Sequence, residues 1–367
     1  MLPLDTAAPK LRSKLLYDLA VFIGRFQFFH LGHLKIIEES LAVSQTVTLL
    51  LGSLGAPRSI RGPLTFEETK AIILASLKPE HRDRVLVQGL HDWTYNDARW
   101  VTNVQALADN AKQHFGLPEN ASVALAGHEK DGTSYYLKMF PQWSSINVPN
   151  FNAYSATPMR DAYFLTNGDW KADIEDIYTG ATLKKILPQG TIDFLTNFRS
   201  TETYTDIRKE FEYIREYRKP YEDLPYGIIF QTADSIVTQS GHILLIKRRA
   251  RPGKGLWALP GGFVNVDEPI ENAPYRELRE ETKLKVPEAV LRGCTTGRRR
   301  FDAVHRSARG RIITDAFRIE LPDNIKLPKV RGGDDAKEAK WIPLSDVRRD
   351  MMFEDHYAII SVMTGAF

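Results

Sequence analysis

The sequence predicts two folded units, an N-terminal α/β domain on a parallel sheet with helices on both faces and a C-terminal α+β domain. Three observations carry this. The chain has 367 residues, more than twice the roughly 150 expected of one domain. From Leu19 to Ala126 short apolar runs alternate with helical patterns, which implies parallel strands covered on both faces. A strand-rich pattern then begins at Tyr226, after a charged segment closed by Pro220 and Pro225. The expected divisions are an extension over 1–17, a first domain over 18–200, a helical linker over 201–225 and a second domain over 226–367.

Bulk properties exclude several classes. With 43% hydrophobic and 26% charged residues the chain reads as an ordinary globular protein. Cys294 is the one cysteine, so no internal disulfide forms and a reducing cytoplasm is the expected compartment. No apolar run approaches the roughly 18 residues a membrane span needs. Lys10, Arg12 and Lys14 precede an apolar segment, but Asp18 interrupts it and no small-residue cleavage site follows, so no signal peptide is expected. A net charge of +3 is too small for non-specific nucleic-acid binding. The basic runs 247–251 and 298–300 read as solvated loops or as anion contacts. A homo-oligomer is left open by the sequence.

In the first half, Leu19-Ala20-Val21-Phe22-Ile23 reads as a buried strand that runs into Gly24-Arg25-Phe26-Gln27-Phe28-Phe29-His30-Leu31-Gly32-His33. A helix is expected from Leu34 to Val43. A glycine turn between strand and helix aims backbone N–H groups and a positive helix end at a bound anion. Thr46 to Leu51 is a second strand. Thr65-Phe66-Glu67-Glu68 has capping-box spacing and opens a helix to about Leu77. Val85 to Val87, Trp100 to His114 and Ser122 to Ala126 then read as strand, helix and strand.

Polar residues fall where these strands end, the usual place for a ligand. Arg25, His30 and His33 follow the first strand and Arg61 the second. His91, Asp92, Asn96 and Trp100 follow the third, and Gly127-His128 the fourth. In Ser155-Ala156-Thr157-Pro158-Met159-Arg160, two hydroxyls and a guanidinium stand at an expected helix start, a cradle suited to polyphosphate.

The Gly-Arg-Phe-Gln…His-x-Gly-His and Ser-x-Thr-x-x-Arg stretches resemble the two signatures of the nucleotidyltransferase superfamily, whose domain is Rossmann-like. Within it, Arg61-Gly62-Pro63-Leu64-Thr65, Asn96 with Trp100, and the segment Ser134 to Trp143 resemble nicotinamide mononucleotide (NMN) adenylyltransferases of the archaeal and bifunctional bacterial type. Phe28 stands where that family usually has proline. The resemblance implies transfer of an adenylyl group from ATP to NMN, giving NAD and pyrophosphate. It also implies that His30 and His33 hold the ATP phosphates, that Arg25 and Arg160 neutralise growing charge, and that Mg²⁺ accompanies ATP. Arg61 would meet NMN, and Asn96 and Trp100 its nicotinamide ring, with Gly127, His128, Ser155 and Thr157 completing the nucleotide cradle.

Thr203 to Tyr221 reads as a solvated connecting helix. Two strands follow, around a turn at Ser240-Gly241. Beyond Gly261-Gly262-Phe263, Glu268 and then Arg276-Glu277-Leu278-Arg279-Glu280-Glu281 stand at fixed intervals. Glu277, Glu280 and Glu281 share one helix face. Clustered carboxylates repel one another unless a hard cation sits among them. Pro274 falls early in that helix, and a start capped by Asn272 avoids an interior proline. Lys283 stands at its end, where a left-handed turn costs lysine roughly 1 kcal/mol relative to glycine.

This spacing resembles the Nudix box, and Arg309-Gly310-Arg311 and the stretch Gly332 to Leu344 resemble its ADP-ribose-hydrolysing branch. The resemblance implies an α+β Nudix fold and hydrolysis of ADP-ribose to AMP and ribose 5-phosphate, assisted by Mg²⁺ or Mn²⁺ on Glu277, Glu280 and Glu281. A related transferase acting on pantetheine phosphate, a flavin or a polyol phosphate is a rival, which Asn96 and Trp100 disfavour. A non-enzymatic ADP-ribose sensor is another. It usually carries a winged helix, for which the about 23 residues after Leu344 are too few, and the box glutamates are intact.

Overall fold

The computed structural model describes residues 15–127, 138–149, 154–168, 170, 182–323 and 326–367. The first domain alternates β1 (Tyr17–Gly24), α1 (Leu31–Val43), β2 (Ser44–Leu51), α2 (Phe66–Ser76), α3 (Pro79–Arg82), β3 (Val85–Gly89), α4 (Asp97–His114), β4 (Val123–Gly127) and β5 (Ser144–Asn147). All five strands are parallel, in the order β3-β2-β1-β4-β5. β5 pairs with β4 from a stretch with no apolar run to announce it.

The side chains of β1 show why the sheet is two-faced. Ala20 and Phe22 join the cluster holding Ile37 of α1 and Ile72 of α2, while Leu19, Val21 and Ile23 join that of Val104 and Ala108 of α4. Successive strand residues point to opposite faces, so a run apolar at every position is buried on both.

Four more helices, α5 (Ala156–Leu165), α6 (Leu183–Ile186), α7 (Gln189–Phe198) and α8 (Glu202–Arg218), extend the first of these clusters. The connecting helix expected to be solvated is therefore in part a core element. Tyr204, Ile207, Phe211 and Ile214 of α8 are buried, and the Phe211 ring stacks on Phe164 at 4.5 Å. Spacings of three and four put these residues on one helix face, and the charged residues between them concealed that stripe.

The second domain contains β6 (Ile229–Gln239), β7 (His242–Arg248), β8 (Trp257–Ala258), β9 (Gly261–Phe263), α9 (Ala273–Thr282), α10 (Glu288–Gly293), β10 (Thr295–Phe301), β11 (Arg311–Glu320), β12 (Ala336–Pro343) and α11 (His356–Thr364). Its mixed sheet runs β10-β11-β6-β7-β12, with β8 beside β7 and β9 beside β6. Only the β6 and β11 pair is parallel. Ile236, Ile243 and Leu245 face α11, and Val237 and Leu244 face α9. Ser240 and Gly241 both take positive φ (47° and 72°), the turn that matches strand twist in a two-residue hairpin.

Asn272 occupies the N-cap of α9 and Pro274 its first turn, where a missing N–H costs nothing. Lys283 closes the helix in the left-handed region, φ 51° and ψ 28°. Among the described residues no helix is long and apolar enough to cross a membrane. Replacing Lys283 with glycine relieves the left-handed backbone, and the variant is expected to gain about 1 kcal/mol in a urea melt.

Candidate functional site

Two separate polar sites emerge, one at the carboxyl edge of the first domain's parallel sheet and one between β9 and α9 of the second. In the first, β1 ends at Gly24, whose missing Cβ leaves room for the buried Phe26 ring, 3.0 Å from where that carbon would stand. Gln27 then clips the loop to the start of α2: its Nε2 donates to the Leu64 carbonyl at 2.8 Å and its Oε1 accepts from the Leu64 N–H at 3.0 Å. Phe28 is fully buried against Tyr163, ring centroids 5.3 Å apart, so it anchors the loop through apolar packing.

His30 is the N-cap of α1 and His33 its third residue. The His30 N–H donates to His33 Nδ1 at 3.3 Å, and the two imidazoles stack with centroids 3.7 Å apart. A Cβ at Gly32 would stand 3.0 Å from the His30 ring, so glycine is what admits this stack. Both rings thus sit at the positive end of a helix.

Arg160, on α5, reaches back beneath this loop. It is 7% exposed and donates to the Gln27 carbonyl, to the Ile60 carbonyl at 3.2 Å and to Thr157 Oγ1 at 3.1 Å. Burial lowers its pKa to about 10, Asp161 opposes this, and the Arg25 and Arg61 charges add to the lowering. Three guanidiniums therefore stand close enough to repel one another, and an anion among them relieves that repulsion. Ser155 occupies the N-cap place of α5 but its side chain makes no cap bond. Gly127 is buried at the end of β4, and His128 lies outside the described residues.

The other expected contacts are arranged less simply. Asn96 caps α4, its Oδ1 accepting from the Arg99 N–H at 3.0 Å, so one end of its amide is committed to the helix. Trp100 lies one turn on, against Phe140, with centroids 6.0 Å apart. Arg61 donates to the His305 carbonyl, and to that of Ser307 at 3.1 Å, both in the second domain. Burial is the main cause lowering its pKa. Arg25, Arg61 and Asn96 line a cavity of about 1120 Å³ whose far wall includes His305, Arg306 and Arg349. The structure thus brings Arg25, Arg61 and Arg160 within electrostatic reach of one another, while His30, His33, Arg160 and Trp100 do not line that cavity. The second domain's share in this cavity had no signal in the sequence.

In the second site, Gly261 and Gly262 of β9 run directly under α9. A Cβ on Gly262 would lie 2.6 Å from Glu277 Oε1, and one on Gly261 would overlap the Ala233 carbonyl. Glu281 is 6% exposed and accepts the Gly261 N–H at 2.9 Å. Burial pushes its carboxyl up to about 8 despite that bond, helped by the Glu277 and Asp234 charges. Burial also raises Glu277, with Glu280 and Asp334 contributing. Arg276 lies across the group, donating to Glu268 at 2.9 Å through both Nε and Nη2, to Glu277 at 2.7 Å and to Glu280 at 3.1 Å.

Glu277, Glu280 and Glu281 do not converge on one point in this arrangement. Among the described residues no three His, Cys, Asp or Glu side chains form a group that could hold a metal ion. Arg276 supplies the positive charge that two of the three carboxylates accept. The donor chemistry nonetheless suits a hard divalent cation, since these are oxygen ligands on one helix face and burial disfavours the ionised forms of Glu277 and Glu281 without one.

Comparison with known proteins places each half. The family model described as cytidylyltransferase-like matches residues 21–117, and that described as NUDIX domain matches 230–362. A nicotinamide/nicotinic acid mononucleotide adenylyltransferase of Acinetobacter baylyi is 36% identical over 196 residues, 53% of this chain and 94% of that protein. An ADP-ribose pyrophosphatase of Methanocaldococcus jannaschii is 36% identical over 127 residues, 35% of this chain and 68% of that protein. The crystal structure of a bifunctional NMN adenylyltransferase/ADP ribose pyrophosphatase from Francisella tularensis, complexed with AMP and a manganese ion, superimposes with a TM-score of 0.82. It is 35% identical and covers 95% of this chain and 99% of that one.

The Glu281 carboxyl has a testable sign. Its folded pKa of about 8 exceeds its ordinary value of 4.5. Between those values the folded chain holds a proton that the unfolded chain has lost. Its contribution to stability is thus present in acid and lost as pH rises through about 8. In chelator-treated protein, the unfolding free energy of wild type relative to Glu281→Gln is expected to fall across this window in denaturant titrations.

Proposed function

The chain belongs to the family of bifunctional NMN adenylyltransferase/ADP-ribose pyrophosphatases, and from that premise we propose how its two sites divide the work. One half makes NAD from ATP and NMN. The other hydrolyses ADP-ribose.

In the first site the NMN phosphate oxygen attacks the α-phosphorus of ATP. The bond from that phosphorus to the bridging oxygen of the β-phosphate breaks, and pyrophosphate leaves. No side chain needs to form a covalent bond, so the work is positioning and charge stabilisation. The single observation that carries this reading is the stacked His30 and His33 pair at the start of α1, which places two ring nitrogen donors at a helix N-terminus. Arg25 and Arg160 offset the negative charge that grows on the phosphates. Thr157, held by Arg160, and Ser155 face the triphosphate from the start of α5. Arg61 meets the mononucleotide, and Asn96 and Trp100 hold its nicotinamide ring. Magnesium enters with ATP.

In the second site Glu277, Glu280 and Glu281 would hold the divalent cation, which lends positive charge to the diphosphate and makes a bound water more acidic. Gly261 and Gly262 let the backbone run close beneath those carboxylates. Arg276 fixes Glu268 and keeps Glu277 and Glu280 on the working face. Water adds to one phosphorus of the diphosphate, the bond from that phosphorus to the bridging oxygen breaks, and AMP and ribose 5-phosphate separate. ATP-dependent NAD synthesis and the free thiol of Cys294 suit a reducing cytoplasm.

Incubation with ATP, magnesium and NMN, and separately with ADP-ribose, followed by chromatography of the nucleotides, tests both halves. His33→Ala is expected to lower NAD synthesis by ~10²-fold or more while ADP-ribose hydrolysis continues. Glu281→Gln is expected to do the reverse. Loss of both activities in either variant with the fold intact would contradict two independent sites.

A further inference from the structure

The second domain covers the carboxyl edge of the first sheet, and one of its side chains reaches the loops that carry the first site. Arg349 begins a 3-10 turn, Arg349–Met351, between β12 and α11. Its Nη2 donates to Asp92 Oδ2 at 2.9 Å and its Nη1 to the Leu54 carbonyl at 3.2 Å. Both acceptors belong to the first domain.

Asp92 passes this contact inward. Its Oδ1 accepts the Ser53 N–H at 2.9 Å, and its Oδ2 accepts the Ser53 hydroxyl at 2.7 Å. Ser53 holds a left-handed backbone, φ 66°, a conformation unfavourable for a non-glycine residue that bonds from its neighbours must offset. Asp92 supplies both fixing bonds. The same turn lies against the phosphate loop: the Gly52 N–H donates to the Gly24 carbonyl at 2.9 Å. A Cβ on Gly52 would stand 3.2 Å from Asp92 Oδ1 and 3.6 Å from Arg25 Cγ. A continuous contact path therefore runs from Arg349 through Asp92 and the Gly52-Ser53 turn to Gly24 and Arg25.

Independent contacts hold the domains in register for it. Tyr95 donates to Asp355 Oδ2 at 2.5 Å, and Arg306 pairs with both Asp355 oxygens at 2.9 Å. Arg61 grips the His305 and Ser307 carbonyls. Docking does not depend on Arg349 alone, so its own role can be isolated.

We propose that Arg349 is a positioning residue for adenylyl transfer: it fixes Asp92, and through Asp92 the turn against which Arg25 is set. The second domain thus completes the first domain's site. This rests on the reading of Arg25 as a phosphate-neutralising group. It leaves the hydrolase carboxylates on α9 untouched.

Steady-state kinetics on the full chain test it. Arg349→Ala is expected to lower kcat/KM for NAD synthesis about tenfold, since small misplacements of a charged group are costly in a positioning-driven reaction. ADP-ribose hydrolysis and the melting temperature stay at wild-type values. Arg349→Lys restores part of the loss, because an ammonium can pair with Asp92 but cannot bridge to the Leu54 carbonyl in the same planar geometry. Ser53→Ala combined with Arg349→Ala costs less than the two single losses together, as members of one network do. Wild-type NAD synthesis in Arg349→Ala would overturn the inference, as would a parallel fall of both activities with a lowered melting temperature. Absence of NAD synthesis from the wild-type chain would instead strike the reading on which the inference rests.

Discussion

β1 is buried on both of its faces, and that constraint organises the first half. A strand enclosed between Ile37 and Ile72 on one side and Val104 and Ala108 on the other has no lateral surface for polar chemistry. Functional groups can emerge only where the strand ends, at Gly24. The same rule applies to β2 and β4, so Ser53 and Gly127 fall at one edge with the loop leading to His30 and His33. Because all five strands are parallel, their carboxyl ends lie together. The second domain covers part of that edge, through Arg61, Tyr95 and Asp92 below and Ser307, Asp355 and Arg349 above.

The two sites carry opposite electrostatic problems. In the first, Arg25, Arg61 and Arg160 repel, and burial lowers the pKa of Arg61 and Arg160. Carbonyls of Gln27, Ile60, His305 and Ser307 accept their hydrogen bonds without neutralising them. Asp161 and Glu354 offset part of that charge. In the second, Glu277 and Glu281 crowd against Gly262 and Gly261, and Arg276 spans Glu268, Glu277 and Glu280. Burial leaves Glu281 reluctant to ionise, which is the condition that a divalent cation reverses. A fused chain keeps these demands apart by putting them on different sheets.

Several departures from family patterns become intelligible at this level. Phe28 replaces a usual proline and is held by Tyr163 instead of by ring rigidity. Pro274 is accommodated because it falls in the first turn of α9, where the missing N–H has no helical partner to lose. Lys283 accepts a left-handed backbone at the end of α9. None of the three removes a polar group from either site.

The sequence by itself determined what is local. Alternation of apolar runs and helical patterns specified a parallel sheet, and the spacing of Glu277, Glu280 and Glu281 put three carboxylates on one helix face. The glycine-histidine stretch announced a strand-to-helix turn, although the helix expected from Leu34 begins at Leu31 and takes in His33. Such signals are legible because residues three or four apart on a helix, or two apart on a strand, are neighbours by backbone geometry alone. Tertiary structure decided the rest. It turned α8 from an expected solvated linker into a partly buried core helix, and it brought Glu268 onto Arg276, whose contact with Glu280 follows from four-residue spacing alone. It also gave Arg61 partners 244 and 246 residues away and joined Arg349 to Asp92 across 257 residues. No local periodicity encodes contacts at such separations, since they exist only once two independently packed domains meet.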